Sequence, residues 1–439
     1  MTVTAEQFRR DAARKAADAH HRDVLQKAIA TYDAAVAKGK ARFADWQNAR
    51  ARAAAVKWET VNHLDRYLEE FECHVIENGG QVFWAETAAD ARRYVLNLAR
   101  RRRVQKIVKS KSMTTEEIHL NEALEEAGIL VVETDLGEYI CQLRHEPPYH
   151  IVTPVMHLTK ADIARTFEEK LGTPPTESAE ELTMIARERL RREFLSADMG
   201  ITGANFAIAE TGQIAITENE GNARLCFSLP RVHVAVVGIE KLLPRVEDLA
   251  LFWPLLSTSG TGQALTCYNS LVGGGEGFHV VLLDNGRTRL LADAEQRDAL
   301  HCIRCGACLN ACPVFKNIGG HAYGTTYQGP IGSVITPHLR DAEEWSHLPY
   351  ASSLCGACTD VCPVKIELHH HLLHNRRNAV RRRFDNPWQR LAFRLWFWAM
   401  QSPVRYSIAS RLARPFLRRW AMPPSQSFRA WWRRSGPRP

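Results

Sequence analysis

Four cysteines in CIRCGACLNACP, Cys302 to Pro313, stand at the spacing Cys-x2-Cys-x2-Cys-x3-Cys, with a proline directly after the last. SSLCGACTDVCP, Ser352 to Pro363, repeats the frame with Ser352 in the first cysteine position. Thiolates this close together on a loop turning into a helix can wrap a cubane cluster, because each Cys-x2-Cys step carries the next sulfur round to another iron. In paired motifs the trailing Cys-Pro directs its sulfur toward the other cluster. By that logic Cys302, Cys305, Cys308 and Cys362 hold one [4Fe-4S] cluster. Cys312, Cys355 and Cys358 hold a second with three cysteine ligands. A hydroxyl, a histidine or water fills its fourth corner, or that iron is missing and the cluster is [3Fe-4S].

Zinc and disulfides are the competing uses of cysteine. Zinc takes two pairs, and seven cysteines exceed one tetrahedral site. A disulfide framework goes with export, whereas the polar N-terminus MTVTAEQFRRDAARKAADAHHRD lacks the apolar core of a secretory signal. Cys73, Cys141, Cys226 and Cys267 are scattered. Gly306, Ala307, Gly356 and Ala357 beside the ligands suit close approach of backbone to a cluster. Between the motifs, NIGGHAYGTTYQGPIGSVITP is dense in glycine and proline and reads as a compact loop over the clusters. His321 and Tyr323 within it can hydrogen bond near the sulfurs, supply a ligand or simply pack. His369, His370, His371 and His374, with Arg376 and Arg377, read as a solvated helix face.

Three small-residue loops offer further candidate sites. KSKSM, Lys109 to Met113, sits where a strand meets a helix and can hold a phosphate or carboxylate, although it matches neither dinucleotide nor P-loop fingerprints. GITGANFAIAETGQIAITENEGNARL, Gly200 to Leu225, forms a strand pair carrying Glu210 and ends in the polar loop Glu218 to Asn222. Glu210, Asn219 and Glu220 are its candidates for a pocket mouth, with Glu210 the candidate catalytic carboxylate. STSGTGQALT, Ser257 to Thr266, is the third loop.

Those residues need elements to place them. Up to residue 74 the apolar positions Leu25, Ile29, Tyr32 and Val36, then Trp58, Val61, Leu64, Leu68 and Phe71, recur at helical spacing, with Gly39 at the break. From Gln81 strand and helix alternate: QVFWA, a helix ending in Arg100 to Arg103, KIVKS, a helix from Thr114, and ILVVET. Such alternation predicts βαβ units and a parallel sheet. Ser178 with Glu181 predicts a capping box opening a helix that runs to about Leu195. FAIAE, GQIAIT, HVAVVG and HVVLLDN predict further strands. The expected division is therefore helices over 1–74, an α/β domain over 75–290, a cluster domain over 291–375, and a basic aromatic region over 376–439.

Charge is unevenly placed. From Arg376 onward there are sixteen arginines and a single acid, Asp385, so this region carries +15 of a net +8. The preceding 375 residues, with 41 basic and 48 acidic groups, carry −7, which argues against nucleic acid as the partner. Six of the 11 tryptophans lie beyond Pro387. Aromatics among arginines fit an interfacial helix or a docking surface for an acidic subunit. No uninterrupted apolar run reaches about 18 residues, so a transmembrane helix is not expected.

Motif by motif, the chain resembles the lactate utilization iron-sulfur proteins (LutB/YkgF type). The resemblance rests on KSKSM with TEEIHLNEALE, GITGANFAIAETGQIAITENEGNARL, VHVAVVGIEK, STSGTGQ, both cysteine motifs around GGHAYG, GPIGSVITP and LPYASSLCGAC, and the tail. It implies a LUD domain of the ribose-phosphate isomerase and CoA-transferase-like α/β group, joined to a two-cluster ferredoxin-like domain. It also implies electron transfer during oxidation of L-lactate to pyruvate, with a cysteine-rich protein and a smaller LUD protein as partners; the expected location, from the cysteine usage and the lack of an export signal, is the cytoplasm. The basic tail adds an expected peripheral contact at the inner face of the membrane. Two other roles compete: catalysis by the LUD domain on lactate or an acyl derivative, and a scaffold that docks the other subunits. Ser352 is how the family's second motif reads.

Overall fold

The computed structural model describes residues 4–384 and 387–420. The chain divides into two compact units, Met1–Asn378 and Ala379–Pro439. In the first, short apolar runs form ten strands: β1 (Gln81–Ala85), β2 (Lys106–Lys109), β3 (Leu130–Glu133), β4 (Met199–Thr202), β5 (Phe206–Ile208), β6 (Gln213–Glu218), β7 (Val232–Gly238), β8 (Leu242–Leu243), β9 (Tyr268–Val272) and β10 (Phe278–Leu283). Six make a parallel sheet in the order β1-β10-β7-β4-β2-β3. Every residue of β7 and β10 is buried, as expected of parallel strands covered on both faces.

One face of this sheet packs Ile107, Val131, Val234 and Val281 against Val95, Leu98 and Leu124 from the helices Ala88–Arg102 and Leu120–Glu126. On the other, Val237 and Val280 meet Leu68 and Phe71 of the helix Leu64–Glu77 and Ile214 of a second sheet, ordered β8-β5-β6-β9. β5 and β6 are antiparallel, joined by the turn that carries Glu210. The expected strands and parallel sheet are present. The helix expected from Thr114 is interrupted, because His119 takes a left-handed backbone (φ 52°) between Met113–Glu117 and Leu120–Glu126.

Four helices precede β1: Ala5–Ala17, Ala19–Lys40, Trp46–Asn62 and Leu64–Glu77. Gly39 lies at the end of the second rather than in a break, where a Cβ would come within 2.9 Å of the Gly262 carbonyl oxygen. Leu25, Ile29 and Ala53 from these helices share one apolar core with Phe206, Phe252 and Leu255, and with Cys305, Phe315, Ile331 and Cys362. Segments 1–74, 75–290 and 291–375 are therefore joined through a common interior. Arg50 donates from Nε to the Cys362 carbonyl at 2.9 Å, tying the third helix to the second cysteine motif.

Two local expectations need correction. Ser178 Oγ does accept the Glu181 N–H at 3.2 Å, but the Glu181 carboxylate takes the Thr176 hydroxyl instead of completing the capping box. The segment between the cysteine motifs is not all loop, since Gly329–Leu339 is a helix with ten buried residues. Pro330 is tolerated in its first turn, where an N–H has no helical partner. Gly332 is required there, because a Cβ would lie 1.7 Å from the Tyr327 carbonyl oxygen.

In the second unit the helices Pro387–Met400 and Pro403–Trp420 pack side by side. Their apolar residues are largely exposed, including Trp388 (77%), Phe397 (61%) and Leu412 (69%). Among the described residues, no helix is long and apolar enough to cross a membrane. The final tryptophans and arginines of the tail, from Ala421 on, lie outside the described residues.

Candidate metal centre

The sequence repeat is also a backbone repeat. Arg304 (φ 59°) and Gly306 (φ 80°) are left-handed around Cys305, and a short helix, Ala307–Ala311, follows. Leu354 (φ 55°) and Gly356 (φ 83°) do the same around Cys355, followed by Ala357–Asp360. A left-handed residue turns the chain sharply enough to face successive sulfurs inward, and glycine adopts it without a Cβ penalty. Amides then point at sulfur: Arg304 N–H reaches Cys302 Sγ at 3.4 Å, Phe315 N–H reaches Cys312 Sγ at 3.5 Å, and Ile366 N–H reaches Cys362 Sγ at 3.3 Å.

All 11 cysteines are free. Cys302, Cys305, Cys308 and Cys362 line one small cavity together with Ile151, Ile331, Val364 and Ile366. Burial raises the Cys305 thiol, and the adjacent charges of Cys362 and Cys302 add to this. Cys308 is raised by burial, then by Cys302, Cys305 and Cys358. In the other motif burial and Cys312 push Cys358 up to about 11. Cys355 is exposed and lowered, chiefly by the Ala357 amide and then by the Ser353 hydroxyl. Thiolates crowded in an apolar interior need compensating positive charge, which bound metal supplies. The Tyr323 hydroxyl is buried without a hydrogen-bond partner and is raised by burial and by Cys312 and Cys308. A buried donor left unpaired between two cysteine groups fits clusters whose sulfurs would accept it.

Beside this centre, at the carboxyl ends of the parallel strands, lies a larger cavity of about 260 Å³. That edge is where open α/β sheets place ligands. Lys111 and Ser112 after β2, Asp135 after β3, Gly203 after β4 and Lys241 after β7 all line it. Gly203 permits the close approach, since a Cβ there would meet Ser112 Oγ at 2.6 Å. From the second sheet come Asn219 and Glu220, and from the third loop Ser257, Gly260 and Gln263. Arg304 and Cys305 of the first cysteine motif close the cavity. Gly260 seats that motif, because a Cβ would stand 2.6 Å from the Cys305 carbonyl oxygen.

The cavity thus gathers one residue group from each of the three small-residue loops, with two exceptions. Lys109 is fully buried behind it, with Nζ 2.8 Å from Glu133 and 3.2 Å from Glu116. Glu210 is not in it: this exposed residue accepts the Val246 N–H at 2.9 Å, at the hairpin tip. β6 runs from that tip to Glu218, and its five residue steps span roughly 17 Å, so the two polar ends of the hairpin serve different places.

Lys241 and Arg304 were not among the sequence candidates. The available signal was a charged pair, Glu240 and Lys241, two residues after the wholly buried strand β7. Glu240 anchors a buried network in which Arg287 Nε lies 2.5 Å from its carboxylate and Arg304 Nη2 lies 3.3 Å away. Arg287 also holds Glu117 by two bonds of 2.9 and 2.8 Å, and the Tyr327 hydroxyl donates to Glu117 at 2.6 Å. Burial pushes the Glu240 carboxyl up, but Arg287 and Arg304 outweigh it and hold it at about 2. Lys57, lowered by burial to about 7, donates to the carbonyls of Glu240 and Leu242 at 2.6 and 3.1 Å.

The histidines divide. His321 donates from Nε2 to the Pro147 carbonyl, 2.7 Å away, and packs beside Tyr149 and His157. His370 is exposed, as a solvated face requires. His371 is buried, with Nε2 2.8 Å from Asp298, which corrects the expectation for that position. Arg376 is also engaged, donating to the Pro349 and Ser352 carbonyls at 3.0 and 2.8 Å.

Residues 68–279 match the LUD domain family and residues 298–366 the 4Fe-4S dicluster domain. Lactate utilization protein B of Shouchella clausii is 46% identical over 392 residues, covering 87% of this chain and 82% of its own. That of Oceanobacillus iheyensis is 41% identical over 447 residues, covering 93% of each. The uncharacterized electron transport protein YkgF of Escherichia coli is 43% identical, covering 88% of this chain and 84% of its own. With its domain pair, its identity to these proteins and their coverage in agreement, the chain belongs to the lactate utilization protein B family.

Proposed function

We propose that this chain is the iron–sulfur electron-transfer component of a system oxidising L-lactate to pyruvate. Cys302, Cys305, Cys308 and Cys362 hold one [4Fe-4S] cluster, and Cys312, Cys355 and Cys358 the second. The observation that carries the reading is the crossing of the two motifs, in which Cys362 of the second lines one cavity with Cys302, Cys305 and Cys308 of the first. Two clusters held this way supply an entry and an exit for single electrons. The chain's own part is to hold the sulfurs, donate amides and the Tyr323 hydroxyl to them, and keep the first set dry. Ser352 is the candidate for the fourth corner of the second cluster, in place of His321, which is engaged elsewhere.

The exposed Cys355 makes the second cluster the natural contact for a partner, and the cysteine-rich and smaller LUD proteins are the proposed subunits. The apolar and arginine-rich second unit supports docking to such a subunit or to the inner face of the membrane. The test is growth: in a host lacking its own copy of this chain, the wild-type protein restores growth on L-lactate, and Cys308→Ala does not. Restoration by Cys308→Ala at wild-type rate would exclude an electron-carrying role for the first cluster.

A further inference from the structure

We infer that the 260 Å³ cavity is a binding site for a small carboxylate of the 2-hydroxy or 2-oxo acid class, anchored by Lys241 and Arg304 against the first cluster. The inference rests on the proposed reading for the cluster, but the ligand's chemistry follows from the cavity itself. Its size admits a small metabolite and is below the range usual for larger cofactors.

The charged lining comprises three cations, Lys111, Lys241 and Arg304, and three carboxylates, Asp135, Glu218 and Glu220. The carboxylates are already committed. Glu218 accepts the Ala223 and Arg224 amides at 2.7 and 2.9 Å, Glu220 accepts the Leu136 amide at 3.0 Å, and Asp135 accepts the Glu138 amide at 3.1 Å. Lys111 donates to the Val152 carbonyl at 2.9 Å.

Lys241 has no such commitment: it is buried, 7% exposed, and has no hydrogen-bond or ion-pair partner among the described residues. Arg304 is held through Nη2, while its Nη1 is buried without a partner. A buried, unpaired cation is costly unless a counter-charge completes it. The spare bonding capacity of the cavity is therefore cationic and lies at its cluster end. Asn219 and Gln263, bonded to each other at 3.1 Å, and Ser112 and Thr217 provide neutral polar groups elsewhere in the lining. A ligand with one anionic end and a hydroxyl or carbonyl next to it satisfies both. A multiply charged phosphate would meet three carboxylates with only Lys241 and the Nη1 group of Arg304 open to it.

Both anchors also adjoin the first cysteine set, since Arg304 lies between Cys302 and Cys305 with its N–H 3.4 Å from Cys302 Sγ, and Lys241 shares the cavity lining with Arg304 and Cys305. An anion bound between them disfavours added negative charge on the cluster and lowers its potential. By reciprocity the oxidised cluster binds the anion more tightly than the reduced one.

The test uses the full chain, reconstituted anaerobically, with iron and sulfide measured on the same sample. Pyruvate and L-lactate are titrated by calorimetry, with inorganic phosphate as the competing anion, and cluster potentials are read by EPR-monitored titration with and without saturating pyruvate. The expected result is saturable binding of pyruvate or lactate, a lowered potential for one cluster, and affinity reduced about tenfold or more in Lys241→Gln with iron content unchanged. Lys241→Arg restores most of the affinity, and Glu210→Gln leaves it as in the wild type. Absence of saturable binding in protein of full iron content would overturn the inference and leave the cluster reading standing. Binding unaffected by Lys241→Gln, or phosphate competing as well as pyruvate, would overturn it too. Carboxylate binding in a chain that takes up no iron would retain the site and refute the cluster reading instead.

Discussion

Ser352 Oγ accepts the Leu354 backbone N–H at 3.0 Å, in the same place in its motif where Cys302 Sγ accepts the Arg304 N–H at 3.4 Å. Leu354 and Arg304 share the left-handed backbone that makes the bond. The serine oxygen therefore stands at the position of a ligand, held by the donor that a ligand sulfur would use.

Replacing that oxygen should act on one cluster alone. In Ser352→Ala the second cluster is expected to lose its fourth iron, seen as a three-iron EPR signal in oxidised protein, with the first cluster unaltered. Ser352→Cys should keep that iron through air exposure that strips it from the wild type. Identical spectra for all three proteins would remove Ser352 from the site.

Arg287 carries the charge balance between β7 and the cysteine region, lying 1% exposed between Glu117 and Glu240. Arg287→Ala leaves the buried Glu117 with only the neutral donors Asn285 and Tyr327 and leaves Glu240 paired with Arg304, and removing one partner of such a pair costs about 3–5 kcal/mol. Urea unfolding followed by circular dichroism should show this as a lower midpoint. A midpoint within error of the wild type would mean that the network bears no load.

The same network sets an acid limit. Glu240 is held at about 2, below its ordinary 4.5, so the folded state favours its charged form. Its stabilising contribution is complete above about pH 4.5 and is lost as pH falls toward 2. Stability measured between about pH 5 and pH 3 should decline more steeply in the wild type than in Glu240→Gln. Equal slopes would contradict the assignment.

Much of this was legible because its signals are local. Strand and helix alternate with their own periods, so β1, β2, β3 and β7 could be read directly, and the repeated cysteine frame is the signal behind the crossed sets proposed above. The site around the cavity was only half legible. Ser112, Asn219 and Glu220 stood out as polar residues in small-residue loops, but whether such a loop faces a cavity depends on which end of the sheet its neighbours occupy. Glu210 and Glu220 sit at opposite ends of one hairpin, a distinction that composition does not carry. Lys241 was hidden by its position at the end of a buried strand, and Arg304 by lying between two cysteines. The helix Gly329–Leu339 was misread because glycine and proline normally mark loops, whereas here Pro330 sits in the first turn and Gly332 fits against a carbonyl.

The second unit presents Trp388, Phe393, Trp396 and Phe397 to solvent on an arginine-rich helix. Sedimentation with vesicles containing anionic lipid should carry down the full chain and leave a truncation after Arg383 in the supernatant, with iron content equal in both. Salt should weaken the association. Equal pelleting of both chains would place any membrane contact elsewhere.

Iron and acid-labile sulfide per chain, with EPR before and after dithionite, test the central claim most directly. Two cubanes predict about eight iron, or about seven if the Ser352 corner is vacant, and a reduced spectrum broadened by two neighbouring spins. About four iron or fewer, with the simple spectrum of an isolated cluster, would contradict the account.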